Sequence, residues 1–151
     1  MRLKWFAPVP VAVVAAVLVA SSWSSPKLGT YAGATSEHSS VAFTVGAGGK
    51  AVSGFTAQDG YNGGCHFHGG VGGIPNFTVT VPHMTLGTNG QFTTTVKQKL
   101  GPFSGTFKIA GRVEGGKATG TIDDVGSKCG AGSPNPTHSA YLETFSASAH
   151  A

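Results

Sequence analysis

An all-β fold is predicted here, either a single-domain β-sandwich or a strongly curved, partly closed barrel of about eight to ten short strands. Three observations point that way. Short runs such as Val41-Ala42-Phe43-Thr44-Val45 and Phe77-Thr78-Val79-Thr80-Val81 place an apolar residue at every second position, the period of a strand with one buried face. The 24 glycines all follow the N-terminal apolar segment, without a fixed repeat, which suits turns, bulges and close strand approach. No stretch after residue 25 sustains a 3.6-residue apolar period with helix caps.

The N-terminus has a different character. Arg2 and Lys4 precede an apolar run from Trp5 to Ala20, and small residues at Ser21, Ser22, Ser24 and Ser25 follow it. A positive start, an apolar middle and a small-residue exit describe a secretory signal peptide. The run covers 16 residues and contains Pro8 and Pro10 near its start, so it is shorter than the ~18 residues of a spanning helix. Ala20/Ser22 or Ser22/Ser24 supply the small pair before the scissile bond, placing it after Ser22 or Ser24. Residues 1–24 are therefore read as the signal peptide, 25–28 as a flexible leader and 29–151 as a single β domain. The expected location is secreted or extracytoplasmic, at the cell surface or beyond. The membrane is engaged only through the signal peptide before cleavage.

Taking the chain in order, Tyr31 to Thr35 reads as a first short strand, and Val41–Val45 returns through Gly46-Ala47-Gly48-Gly49 into Lys50–Ala57 as a β-hairpin. Cys65-His66-Phe67-His68 is a very short strand set in glycine. Phe77–Val81 follows, with Pro82 as its stop and Met84 and Leu86 as a brief continuation. Thr88-Asn89-Gly90 turns the chain into a strand carrying Phe92, Thr94 and Val96. The best hairpin joins Thr106–Val113 to Ala118–Ile122 across Glu114-Gly115-Gly116-Lys117, with a turn at Asp123-Asp124. A loop rich in Gly and Pro spans Cys129 to Pro136. The last strand, Ala140 to Ala147, sets Tyr141 and Phe145 on one face and Leu142 on the other.

This order of elements resembles a loose group of small secreted β-rich proteins from actinobacteria. The resemblance lies in Tyr31, Gly33 and Thr35, the strand of Val41, Phe43 and Val45, Cys65, the hairpin from Gly105-Thr106-Phe107 to Ile122, Cys129-Gly130, and the ending at Phe145 and Ala147. It covers residues 29–147 and implies a fold and a compartment, with no catalytic residue attached.

Cys65 and Cys129 are the only cysteines. In an oxidising compartment, two cysteines allow one bridge. It would close a loop of 65 residues, worth roughly 4 kcal/mol by chain entropy. His66 and His68, at i and i+2 in the stretch YNGGCHFHGGVGG, form the candidate metal pair for Zn²⁺ or Cu²⁺. A closed site would need a further ligand, from His38, His83, His138 or Asp59. The simpler reading is an exposed histidine pair with no metal, and no cofactor is expected.

Enzyme signatures are sparse. The sequence has no G-x-S-x-G and no H-E-x-x-H, and its glycine runs precede no helix. A glycosidase would need two carboxylates facing one cleft. Asp59, Glu114 and Glu143 reach such an arrangement only through the tertiary fold, and Asp123 and Asp124 would point to opposite sides of a strand. The expectation is therefore no enzyme, with a hydrolase using an unrecognised carboxylate site as an alternative. Beyond residue 24 the chain keeps eight basic residues against six acidic ones. The basic residues are scattered along the sequence, which argues against nucleic acid. A structural or ligand-binding role is left, with a cell-surface glycan, a lipid or a peptide as partner. An extracellular metal-binding role for His66 and His68 is its rival.

Overall fold

The computed structural model describes residues 23–59, 64–67, 70–73, 77–100, 103–126, 128–129 and 142–150. In chain order its strands are β1 (Gly29–Thr35), β2 (Ser40–Val45), β3 (Ala51–Asp59), β4 (Gly64–Phe67), β5 (Gly70–Gly73), β6 (Phe77–Thr85), β7 (Gln91–Leu100), β8 (Phe103–Glu114), β9 (Lys117–Asp124), β10 (Lys128–Cys129) and β11 (Leu142–Ala149). Eight of them make one antiparallel sheet in the order β6-β3-β2-β1-β11-β9-β8-β7, and β10 adds to β8 beyond the end of β9. The β4–β5 hairpin stands apart as a two-stranded sheet. Of the two predicted architectures the barrel forms, not the sandwich. Pairing of β11 with β1, from Thr35↔Phe145 to Tyr31↔Ala149, joins the last strand to the first and wraps one sheet around one core.

Missing side chains allow that curvature. Gly111 and Gly120 face each other across β8 and β9, with Phe92 opposite the first and Phe145 opposite the second. A Cβ at Gly111 would lie 2.5 Å from the Phe92 ring, and one at Gly120 would lie 2.5 Å from the Phe145 ring. Each ring therefore covers a bare stretch of backbone, an arrangement that bends a sheet while keeping it packed.

Those rings belong to the centre of the core. Phe43 lies 5.9 Å from Phe55 and 6.1 Å from Phe92, and Phe145 lies 5.7 Å from Phe55 and 6.5 Å from Phe92. The four rings make a circuit, and Tyr31 stacks on Phe43 at 5.1 Å. Val41, Val52, Val79, Ile109 and Val113 pack around them, all buried. Side chains fill the middle of this eight-stranded barrel, as its narrow bore permits. The outer positions of β7 (Thr93, Thr95, Lys97) and β11 (Thr144, Ser146, Ser148) are exposed and polar, the reverse of the apolar outer band of a lipid-facing barrel. No helix among the described residues is long and apolar enough to cross a membrane.

The ring has one seam, between β6 and β7. Pro82 does not stop β6, which runs on to Thr85. Proline removes a ladder donor and is tolerated at a sheet edge, and β6 is such an edge. Ser53 pairs with His83 and Phe55 with Val81, so Gly54, at φ 60°, and Pro82 fall between matched positions. Across the seam a side chain takes over from the backbone. The Thr80 N–H donates to Gln98 Oε1 at 3.2 Å, and Gln98 Nε2 donates to the Thr80 carbonyl at 3.5 Å.

The two barrel ends differ. At one, residues 46–50, 86–90 and 115–116 make short turns. Residues 25–28, expected to be a flexible leader, are bonded to this end. Lys27 N–H donates to the Gly115 carbonyl at 2.6 Å, and Gly115 N–H donates to the Ser24 carbonyl at 3.3 Å. The buried Tyr31 hydroxyl reaches the carbonyls of Lys27 at 2.8 Å and Gly115 at 2.9 Å. At the opposite end the connections are residues 36–39, 60–76 with β4–β5, 101–102, and 125–141 with β10. We call the first the strap end and the second the hairpin end.

Burial raises the Tyr31 phenol above its ordinary value near 10, because the phenolate would lose solvation. The folded state then holds the proton more tightly than the unfolded chain does. Stability is untouched below about pH 10 and falls as pH rises toward the raised folded value, where unfolding releases the proton. Denaturant midpoints measured from neutral pH into this range are expected to show that decline. Tyr31→Phe should lack this component while costing about 1 kcal/mol at neutral pH for the lost hydrogen bonds.

Candidate functional site

The inner layer at the hairpin end is polar, unlike the rest of the core. Thr35, Asp124 and Glu143 are the buried polar residues among those described, with Glu143 only 1 % exposed. Alternation explains how they come to face inward. Glu143 shares its face of β11 with Phe145 and Ala147, and Asp124 shares its face of β9 with Ile122 and Ala118. The chain does not turn at Asp123, as the sequence suggested, but continues as strand through Asp124. Glu143 lies opposite Ile122, so Asp124 is its diagonal neighbour on the inner face of adjacent strands. Asp123 takes the outer side beside Lys108.

Local bonds hold this layer. Thr35 Oγ1 donates to Glu143 Oε1 at 3.3 Å, tying β1 to β11, and accepts from the N–H groups of Glu37 and Ser39 at 3.3 Å each. The turn so fixed places His38 at φ 63°. Ser36 continues the link to β11, its N–H donating to the Thr144 carbonyl at 2.7 Å. On the other strand, Asp124 Oδ1 accepts from the Gly126 N–H at 3.0 Å, and Val125 N–H donates to the Thr106 carbonyl at 2.9 Å. Both carboxylates are thus held in place on the rigid frame of the barrel.

The residues singled out by sequence gather around this end. Cys65 and His66 lie in β4, opposite Gly72 and Val71, and Cys129 lies in β10, opposite Phe103 at the start of β8. The side chains of Cys65, His66 and Cys129, and the whole of His68 and His138, lie outside the described residues, as does the sequence-predicted bridge. No group of three or more His, Cys, Asp and Glu suited to a metal occurs among the described residues. His83 sits near the far end of β6, away from the hairpin. Glu114 belongs to the strap end. Of the acids considered for a hydrolase, Glu143 and Asp124 reach the inner layer, Asp123 and Glu114 do not, and the Asp59 side chain lies outside the described residues.

A second feature lies on the outer wall, where basic residues scattered along the sequence come to share one face. On β7 and β8, Lys97 lies opposite Thr106 and Lys108 opposite Thr95, which makes the two lysines diagonal neighbours on one face. Lys99, two residues along, extends the row, and all three are exposed. Further down the same wall, Arg112 lies between Gln91 on β7 and Thr119 on β9. Its guanidinium carbon sits 3.2 Å from the centre of the Trp23 ring. Its Nε and Nη2 atoms are buried without a hydrogen-bond partner, and Glu114 Oε2 stays 3.9 Å from Nε. Arg112 borders a shallow depression of about 700 Å³ whose wall includes Thr85, Gln91, Thr93 and Thr119. Compared with known proteins, the chain matches no family model, no curated protein and no solved structure.

Proposed function

We propose that this chain is an exported, non-catalytic binding barrel that holds its ligand at the hairpin end, with Cys65 and Cys129 bridged in the connections that build that end. The observation that carries the reading is the asymmetry of the barrel. One end has short turns covered by the Trp23–Leu28 strap. The other is the end at which the two long connections, residues 60–76 and 125–141, join their strands, and its inner layer is the buried polar set of Thr35, Asp124 and Glu143. Binding residues concentrate on long loops held by a rigid frame, and small-ligand sites favour barrel mouths. The polar layer favours a ligand that brings hydroxyl or amine donors, as a glycan or peptide does, over an apolar lipid. Export rests on Arg2, Lys4 and the apolar run from Trp5 to Ala20, with cleavage after Ser22, the one of the two expected positions that leaves Trp23 and Ser24 in the exported chain.

Amide NMR of the secreted protein against a panel of oligosaccharides, peptides and fatty acids tests this reading. Shifts confined to residues 35–40, 60–76 and 124–143 are expected from a hydroxyl- or amine-bearing compound. Shifts confined to the outer strand faces or the strap end would overturn the placement. A titration with Zn²⁺ and Cu²⁺ in the same spectra addresses the rival reading, since a metal site would move His66 and His68 at micromolar metal.

A second reading draws on the two inner carboxylates. Diagonal placement of Asp124 and Glu143 on neighbouring strands supports a hydrolase using an acid and a base. Glu143→Gln separates the two readings. It abolishes turnover in a hydrolase, whereas in a binding barrel it alters affinity for a compound that is recovered intact.

A further inference from the structure

We infer that the outer wall of β7, β8 and β9 is a second binding surface, one that takes a carboxylate-bearing polysaccharide. This goes beyond the hairpin-end site and uses none of its residues. Four exposed or half-exposed cations line one wall although the sequence spreads them over 16 positions: Lys97, Lys99 and Lys108 grouped at one end and Arg112 toward the other. The acids beside them are Asp123, opposite Lys108, and Glu114, opposite Lys117 and 3.9 Å from Arg112 Nε. A positive excess remains along β7 and the middle of β8, and it attracts a polyanion.

Arg112 narrows the chemistry. Nε–H and the neighbouring Nη2–H form one edge of a guanidinium, the edge that grips a carboxylate with two parallel hydrogen bonds. Those are the two atoms left without a partner, and Glu114 at 3.9 Å is too distant to supply one. Trp23, itself 57 % exposed, covers the guanidinium face. The Nε–Nη2 edge is covered in this structure, so engagement of a carboxylate requires the strap or the Arg112 side chain to shift. Around it the depression has a mostly apolar floor that includes Phe92 and Ala110, suited to the face of a sugar ring, and a rim with the hydroxyls of Thr85, Thr93 and Thr119 and the amide of Gln91, suited to its hydroxyls.

Two other polyanionic surfaces fit less well. An anionic membrane would call for exposed apolar residues along the wall. Leu28 and Leu142 are exposed elsewhere, which leaves Trp23 at one end of the wall and Val125, beside Thr106, at the other as its large apolar side chains among the described residues, too few and too far apart for a membrane-seated band. Single-stranded nucleic acid would use several stacking aromatics, and Trp23 is the one exposed aromatic there among the described residues.

Calorimetric titration of the secreted protein with polygalacturonate tests the inference, with its fully methyl-esterified form, polyphosphate and single-stranded DNA as comparisons. Polygalacturonate is expected to bind, at least about tenfold more tightly than any of the other three. Raising NaCl from ~50 to ~300 mM should weaken it by about tenfold. Lys97→Glu with Lys99→Glu should remove binding; both positions are exposed and lie opposite the neutral Thr106 and Ser104, so the barrel's melting temperature stays within a few degrees. Arg112→Lys, which keeps the charge but loses the two-pronged edge, should weaken polygalacturonate by about tenfold and leave polyphosphate unchanged. Equal affinity for the methyl ester, tighter binding of polyphosphate or DNA, or indifference to the double lysine reversal would each overturn it. Ligand shifts at the hairpin end are a separate result and bear only on the first site.

Discussion

Gly33→Ala is expected to destabilise the barrel by more than about 3 kcal/mol, beyond the ordinary cost of overpacking a core. A Cβ at this position would overlap the Ser146 carbonyl oxygen and come within 2.6 Å of the Ala147 Cα. Both obstacles are backbone atoms of β11, which a rotamer change cannot move. They also belong to the pairing that closes the ring, where Gly33 faces Ala147. Relief therefore means pulling β11 away from β1. Equilibrium urea unfolding of the variant is the measurement, with Ala32→Ser on the neighbouring residue as a control expected to stay within about 0.5 kcal/mol. A loss below about 1 kcal/mol would show that β1 and β11 do not approach as closely as the structure has them.

Loss of the proposed Cys65–Cys129 bridge is expected to cost about as much by a different route. Opening a closed loop of 65 residues restores freedom to the unfolded chain, worth roughly 4 kcal/mol. In a domain of this size that lowers the melting temperature by about 15 °C. The effect is large because the chain carries 24 glycines, which leave an unfolded state with unusual freedom to lose. Barrel pairing itself should survive at low temperature, since the strands hold their own core. Melting with and without reductant measures the difference, and Cys65→Ser with Cys129→Ser should match the reduced protein. Two thiols alkylated in the native protein without reductant would sink the bridge.

Much of the barrel could be read from residue pattern alone. Val41, Phe43 and Val45 alternate into the core, and their return strand follows as expected. Glu114 to Lys117 makes the predicted tight turn between β8 and β9. Glu143 was legible too, since it stands two residues from Phe145 and shares its face. A carboxylate among aromatics looks unfavourable until the hydrogen bond from Thr35 is known. Asp124 was hidden because a pair of aspartates suggests a turn, whereas Thr106 extends the strand by accepting from Val125 N–H. Pro82 misled for a related reason. It reads as a stop, yet proline is harmless at the edge that the β6–β7 seam provides.

Local alternation and glycine content by themselves determined an all-β chain, its main hairpins and which face of each strand is apolar, because these depend on neighbours one or two residues apart. Tertiary structure alone decided that one sheet closes on itself through β11 and β1, with Gln98 spanning the seam. It also decided that Thr35, Asp124 and Glu143 share one end and that Lys97, Lys99, Lys108 and Arg112 share one wall. Those outcomes depend on register between strands, in which residues 108 positions apart, such as Thr35 and Glu143, become neighbours. No short-range periodicity in the chain encodes that distance.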